Sequence, residues 1–176
     1  SPKLRYHVLH LSTKQALAEV RDAIAQGLNV SSEVTPQHIA LASDLLLSGN
    51  ANFKMNPPLR TTDDINHLRQ GLKNGTISAI ATDHAPHPKE KKDLGIELAP
   101  PGMLGVQTML AASYTHLVET GVLTLEELIQ VMCIKPAKII NADRPENGGH
   151  GRDIEAGNIA NIMIFDANQE FVVKTQ

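Results

Sequence analysis

The 176-residue sequence has no tryptophan, a single cysteine, two tyrosines and three phenylalanines. With one thiol, Cys133, an intramolecular disulfide is impossible, and a reducing, cytoplasmic setting is expected. Cys133 sits in the apolar run VMCI (residues 131–134), where a small core residue is expected rather than a nucleophile. The scattered rings form no base-stacking platform, and a net charge of −3 offers phosphates no basic surface, so no nucleic-acid partner is expected. Long apolar runs are also missing: stretches such as ALA (40–42) and LLL (45–47) fall far short of a membrane span of roughly 20 residues. Neither an internal repeat nor a low-complexity tract is present. The opening SPKLR has no hydrophobic signal region and no initiator methionine, and a strand-like run follows at once. The expectation is a cut through a larger fold.

What is present is globular. Apolar residues make up 41% and charged residues 20%, and the length suffices for one domain with a real core. Residues 6–11 read as a buried strand. A capping box of Ser12 with Gln15 then opens a helix with Leu17, Val20 and Ile24 as its buried stripe and Gly27 as its stop. A second strand is expected over 29–34. Thr61 with Asp64 opens the next helix, striped by Ile65, Leu68 and Leu72 and closed at Asn74-Gly75, and residues 77–82 form a third strand. Strand alternating with helix in this way is the pattern of a parallel α/β fold. From Val106 the pattern turns helical. Thr124 and Glu127 make another capping box, with Leu125, Leu128, Ile129 and Met132 on one face, and Pro136 ends that helix or starts the next. After the turn-rich residues 141–157, short strands are expected over 158–165 and 170–173. The division is thus residues 1–150 for the α/β unit and 151–176 for strands of a small β-domain.

Chemistry-bearing residues gather at the ends of the expected strands. His7 and His10 are three apart, so on a regular strand only one faces the interior, and position favours His10. Asp83 shares a face with the small Ala79 and Ala81 and is followed by His84 and His87. A carboxylate emerging there needs a metal, a cation or a set of donors. The plain alternative is a loop cap or an ion pair with Lys89. Asn56 is presented by KMNPPLR (54–60), whose paired prolines stiffen the backbone; an ordinary turn is the bland reading. In APPG (99–102), Gly102 marks either a helix lead-in or a close backbone approach to a ligand. The run Lys89, Lys91, Lys92 reads as solvated loop surface.

Together HVLHLST (7–13), EVTPQH (33–38), NFKMNPPLR (52–60), ATDHAPH (81–87) and APPG (99–102) resemble the type I dihydroorotases of the amidohydrolase superfamily. The late stretch 157–166 also fits, and the segments around Asn56 and Asp83 are the specific ones. The resemblance implies the C-terminal part of a TIM-like (β/α)8 barrel, about its last three strands and helices, plus strands of a small terminal β-domain. It implies a zinc site of one or two ions, with His10 as a ligand from the sixth strand and Asp83, ending the eighth, as both metal-site carboxylate and general acid/base. Asn56, His87, Pro101 and Gly102 are similar to positions that hold the substrate ring and its carboxylate. The implied reaction is the reversible closure of N-carbamoyl-L-aspartate to L-dihydroorotate in de novo pyrimidine synthesis.

Other features depart from that family. Its first-strand His-x-His pair, its middle-strand ligands and its Arg/Asn carboxylate pair have no match and are expected upstream of Ser1. Gln107 stands where relatives carry Glu. The isolated chain is therefore expected to bind zinc poorly, to be inactive and to associate with another copy or with a proteolytic partner fragment. Alternatives are another cyclic amidohydrolase (hydantoinase, dihydropyrimidinase or allantoinase) or a non-catalytic scaffold for aspartate carbamoyltransferase.

Overall fold

Three short strands, β1 (Tyr6–Val8), β2 (Val30–Val34) and β3 (Ala79–Ile80), pair in parallel in the order β1-β2-β3. The computed structural model describes residues 4–173; the first residues of SPKLR and the last three of the chain lie outside them. His7 stands opposite Ser31, and Glu33 opposite Ala79. The expected mixed α/β fold with a parallel sheet is present, but the first and third strands are shorter than expected. β1 stops at Val8 because the chain turns left-handed at His10; around β3, Ser78 N and Ala81 N still donate to Ser32 O and Val34 O of β2, while Ile77 N turns back to Gly71 O.

The sheet's two faces differ. Val34 and Ile80 point into a core with Val20, Ile39, Leu68, Leu72 and Ile77, all buried. Each such aliphatic side chain contributes about 1.5–3 kcal/mol on leaving water. The opposite face is polar: His7 Nδ1 meets Ser31 Oγ at 2.7 Å and His7 Nε2 meets Glu33 Oε2 at 3.0 Å.

The crossover helices start where strand ends can use them. In α1 (Lys14–Ala25) the cap is Thr13, whose side chain accepts from Ala16 N. The expected Ser12–Gln15 box is not formed, because Ser12 is buried and accepts from Arg60 Nε at 3.4 Å. Val20 packs inward as expected, whereas Ile24 is exposed. After β2 comes α2 (Pro36–Ala40), capped by Thr35. In α3 (Thr62–Lys73) the expected Thr61–Asp64 box is complete, with Ile65, Leu68 and Leu72 buried. Asp64 Oδ1 also accepts from Lys14 N at 3.0 Å, so one carboxylate joins the N-terminal ends of α1 and α3.

Short turns α4 (Lys89–Lys92) and α5 (Gly95–Leu98) follow β3, then α6 (Met109–Ser113) runs into a π-helical turn. The segments α7 (Leu125–Ile129) and α8 (Lys135–Ile139) join through a second π turn, in which Lys135 N donates to Gln130 O. Pro136 lies in the first turn of α8, as expected of a proline that starts the next helix. The wider turn relieves the clash its ring would make with a carbonyl four residues back. The Thr124–Glu127 box is formed, yet Leu125 and Ile129 are 36% and 44% exposed, and the buried line runs through Leu128 and Val131 instead. Cys133 is exposed rather than a core residue, although partial burial still pushes its thiol pKa up.

Residues 158–173 form no strand. Ile164 is 98% exposed, and an alternating apolar pattern makes no sheet where no neighbouring strand supplies ladder partners. An edge-to-face contact between Tyr114 and Phe165, centroids 5.3 Å apart, holds this segment to the π turn after α6. Among the described residues no helix is long and apolar enough to cross a membrane.

Candidate active site

Beyond the C-terminal ends of the strands the backbone takes two costly conformations. His10 has φ +33° and Asp83 φ +44°, a region that costs a non-glycine residue on the order of 1–2 kcal/mol. Both residues carry the polar groups singled out in the sequence. The left-handed bend frees His10 from strand alternation, so the expected choice between His7 and His10 does not arise. His7 stays on the polar sheet face with Ser31 and Glu33, while His10 lies past the strand.

The buried imidazole of His38 registers both. Burial is the main cause that pushes its pKa down; the carbonyl of Pro57 and the charge of Asp83 raise it, while His10 and Arg60 lower it further. Asp83 and His10 thus lie within electrostatic reach of one side chain at one end of the sheet. Asp83 makes no pair with Lys89, whose ammonium goes to Asp93 at 2.5 Å. An imidazole and a carboxylate are the donor types zinc takes, but zinc generally takes at least three protein ligands. Among the described residues no three His, Cys, Asp or Glu side chains gather to hold a metal. The donor set fits zinc in kind and is incomplete in number among the described residues.

His38 was not singled out from the sequence. It is 2% exposed; its Nε2 donates to Pro57 O at 3.0 Å, and Thr35 Oγ1 hydrogen-bonds its Nδ1 at 2.8 Å. Since a carbonyl only accepts, the proton sits on Nε2 and Nδ1 accepts from the threonine hydroxyl. This bond anchors the loop of Asn56, flanked by the buried Met55 and Leu59, and leaves Asn56 itself exposed.

The other expected ligand-binding residues meet that loop. His87 Nε2 donates to Pro101 O at 3.0 Å, and Gly102 N donates to Lys54 O at 2.9 Å. Gly102 has φ +145°, and a Cβ there would fall 2.5 Å from Ala85 O and 3.0 Å from His87 Cδ2, so only glycine fits. His87, Pro101 and Gly102 are therefore bonded together and to Lys54, two residues before Asn56. With Nε2 committed to Pro101, His87 can donate to an anion only as the imidazolium, from Nδ1.

His84, the third ionisable group of its segment, has a structural job: its Nδ1 accepts from Gly105 N at 3.1 Å and Val106 N at 3.3 Å. Gln107 is exposed. Lys92 is not the solvated residue expected of its run. Its Nζ donates to the carbonyls of Ala51, Lys54 and Pro100 at 3.1, 3.4 and 3.1 Å.

The sequence model of the amidohydrolase family matches residues 3–175. A dihydroorotase of Anoxybacillus flavithermus is 44% identical over 165 residues, covering 94% of this chain and 37% of that protein. A dihydroorotase of Bacillus cereus is 47% identical with the same coverage. The chain thus spans little more than a third of these relatives. Among solved structures, an L-hydantoinase (dihydropyrimidinase) from Arthrobacter aurescens superposes with a TM-score of 0.80 at 32% identity, covering 89% of this chain and 34% of that one. A dihydropyrimidinase from Brevibacillus agri gives 0.71 at 26% identity, over 76% of this chain and 31% of the other.

Proposed function

The chain belongs to the amidohydrolase family, and on that premise we propose that it supplies part of the active site of a zinc-dependent dihydroorotase. The observation that carries this reading is the joining of the Asn56 loop to the Pro101–Gly102 turn and His87, through Gly102 N to Lys54 O at 2.9 Å and His87 Nε2 to Pro101 O at 3.0 Å. Identities of 44% and 47% to dihydroorotases, along 94% of the chain, support the same substrate.

His10 and Asp83 would contribute two of the ligands, and the rest would come from residues outside this chain. Zinc, when bound, polarises the scissile carbonyl and brings the pKa of water to roughly 7. Asp83 takes the proton of the attacking water and delivers it to the ring nitrogen as the amide C–N bond breaks. The reverse order of proton transfers closes N-carbamoyl-L-aspartate into the ring. The side-chain amide of Asn56 donates to the substrate carboxylate, and Gly102 lets the ring approach the backbone where a side chain would block it. The polar face of His7, Ser31 and Glu33 is the interior of a (β/α)8 barrel, covered by the remaining strands. The late segment, of which residues 151–173 are described, pairs with strands of a small β-domain, and the complete enzyme works in the cytoplasm as a homo-oligomer.

Hydantoin and dihydropyrimidine hydrolysis form the second reading, favoured by the superposition on the Arthrobacter aurescens enzyme. Assaying the full-length protein on dihydroorotate, hydantoin, dihydrouracil and allantoin separates them. The highest kcat/KM is expected for dihydroorotate; a preference for hydantoin or dihydrouracil would overturn the assignment.

A further inference from the structure

Lys92 ends α4 and is half-buried between two loops far apart in sequence. An ammonium has three N–H donors and no acceptor. Here all three are spent on main-chain oxygens: Ala51 O at 3.1 Å, Lys54 O at 3.4 Å and Pro100 O at 3.1 Å. The first two acceptors lie just before Asn56, and the third just before Pro101 and Gly102. Lys54 O also receives Gly102 N at 2.9 Å, so the ammonium sits on the seam where the two loops touch. The neighbouring Lys54 does not compete for these oxygens, because its own ammonium donates to Glu97 O at 3.0 Å.

We propose that Lys92 is a positioning residue that fixes the spacing between the Asn56 loop and the Pro101–Gly102 turn, and thereby sets affinity for the ring-bearing substrate. The choice of dihydroorotate as ligand rests on the function proposed above; the spacing role does not. Charge-assisted bonds to carbonyls are stronger than neutral ones, and three of them on one atom define a point rather than a line. Burial, with the nearby Lys54 charge adding to it, pushes the Lys92 pKa down, which is the cost the three carbonyls offset. A tie that only stabilised the fold would be felt everywhere. A tie that sets loop spacing is felt at the ligand.

The test uses the full-length protein and the variants Lys92→Met and Lys92→Arg. Lys92→Met is expected to raise KM for dihydroorotate about tenfold or more, with kcat within about twofold and little change in Tm. Backbone amide exchange at Gly102 and across residues 51–56 is expected to quicken, whereas distant helices keep their rates. Lys92→Arg keeps the charge but presents a planar fork, so partial recovery of KM is expected. Unchanged KM with unchanged exchange at Gly102 overturns the proposal, as does a fall of kcat and Tm together with no KM change. Should Lys92→Met fail to fold, Lys92→Arg decides by the same two readouts. If the wild type prefers another cyclic amide, the dihydroorotase reading fails, and the KM comparison is made on that substrate. If it turns over none, exchange at Gly102 alone decides.

Discussion

His38 Nε2 lies 3.0 Å from the carbonyl oxygen of Pro57, so the residue after Asn56 is fastened to the segment that leaves β2. The imidazole is buried, and Thr35 Oγ1 occupies its other nitrogen. Replacing His38 by Leu strands both partners, and a loss of about 1–3 kcal/mol is expected. The same site gives a pH signature. His38 is held below its ordinary value of 6.5, chiefly by burial, so the folded state binds fewer protons there than the unfolded chain. Its contribution is complete above the unfolded value and is lost as pH falls from 6.5 through the lowered folded value. Urea midpoints measured between pH 8 and pH 5 are expected to decline in the wild type and to flatten in His38→Gln. Parallel curves for the two proteins would remove this role.

Asp83 is assigned both a ligand and a proton-transfer role in the complete enzyme. Asp83→Asn keeps shape and removes the base, so kcat is expected to fall by about 10²–10⁴-fold. His10→Ala is expected to reduce bound zinc as well as activity. Steady-state kinetics together with elemental analysis of the purified full-length variants reads both; wild-type kcat in Asp83→Asn would defeat the assignment.

The described residues bring together too few ligands for catalytic zinc. Isothermal titration of the 176-residue protein is expected to show only weak zinc binding, with no hydrolysis of dihydroorotate. Its polar sheet face and exposed apolar residues favour association in light scattering. Tight stoichiometric zinc, or a monodisperse monomer, would contradict this.

Gly102→Ala would drive a methyl group against the Ala85 carbonyl, 2.5 Å away, in a backbone conformation that alanine resists. A loss of about 1–3 kcal/mol is expected, read as a lowered Tm, with a raised KM in the full-length enzyme. An unchanged melting curve would show that the loop can yield.

What could be read in advance was local. The Thr61–Asp64 and Thr124–Glu127 boxes are short-range devices, and both are formed. So was the alternation of strands with helices. Three things were not readable. The cap at Thr13 displaced the one expected at Ser12 because Arg60, 48 positions away, claims the serine hydroxyl. The end of β1 depended on the left-handed turn at His10, which no neighbouring glycine announces. Lys92 and His38 bind main-chain carbonyls, and a carbonyl leaves no mark in the pattern of side chains.

The bond from Gly102 N to Lys54 O has a practical meaning for anyone wishing to redirect the specificity of such a protein. The two loops are halves of one part, keyed to each other through peptide groups that every amino acid possesses. A chimera that swaps residues 51–60 while keeping 99–105 can still form that bond, but with mismatched side chains packed around it. Recombination breakpoints that carry both stretches across together are the ones that leave this joint and its side-chain surroundings intact.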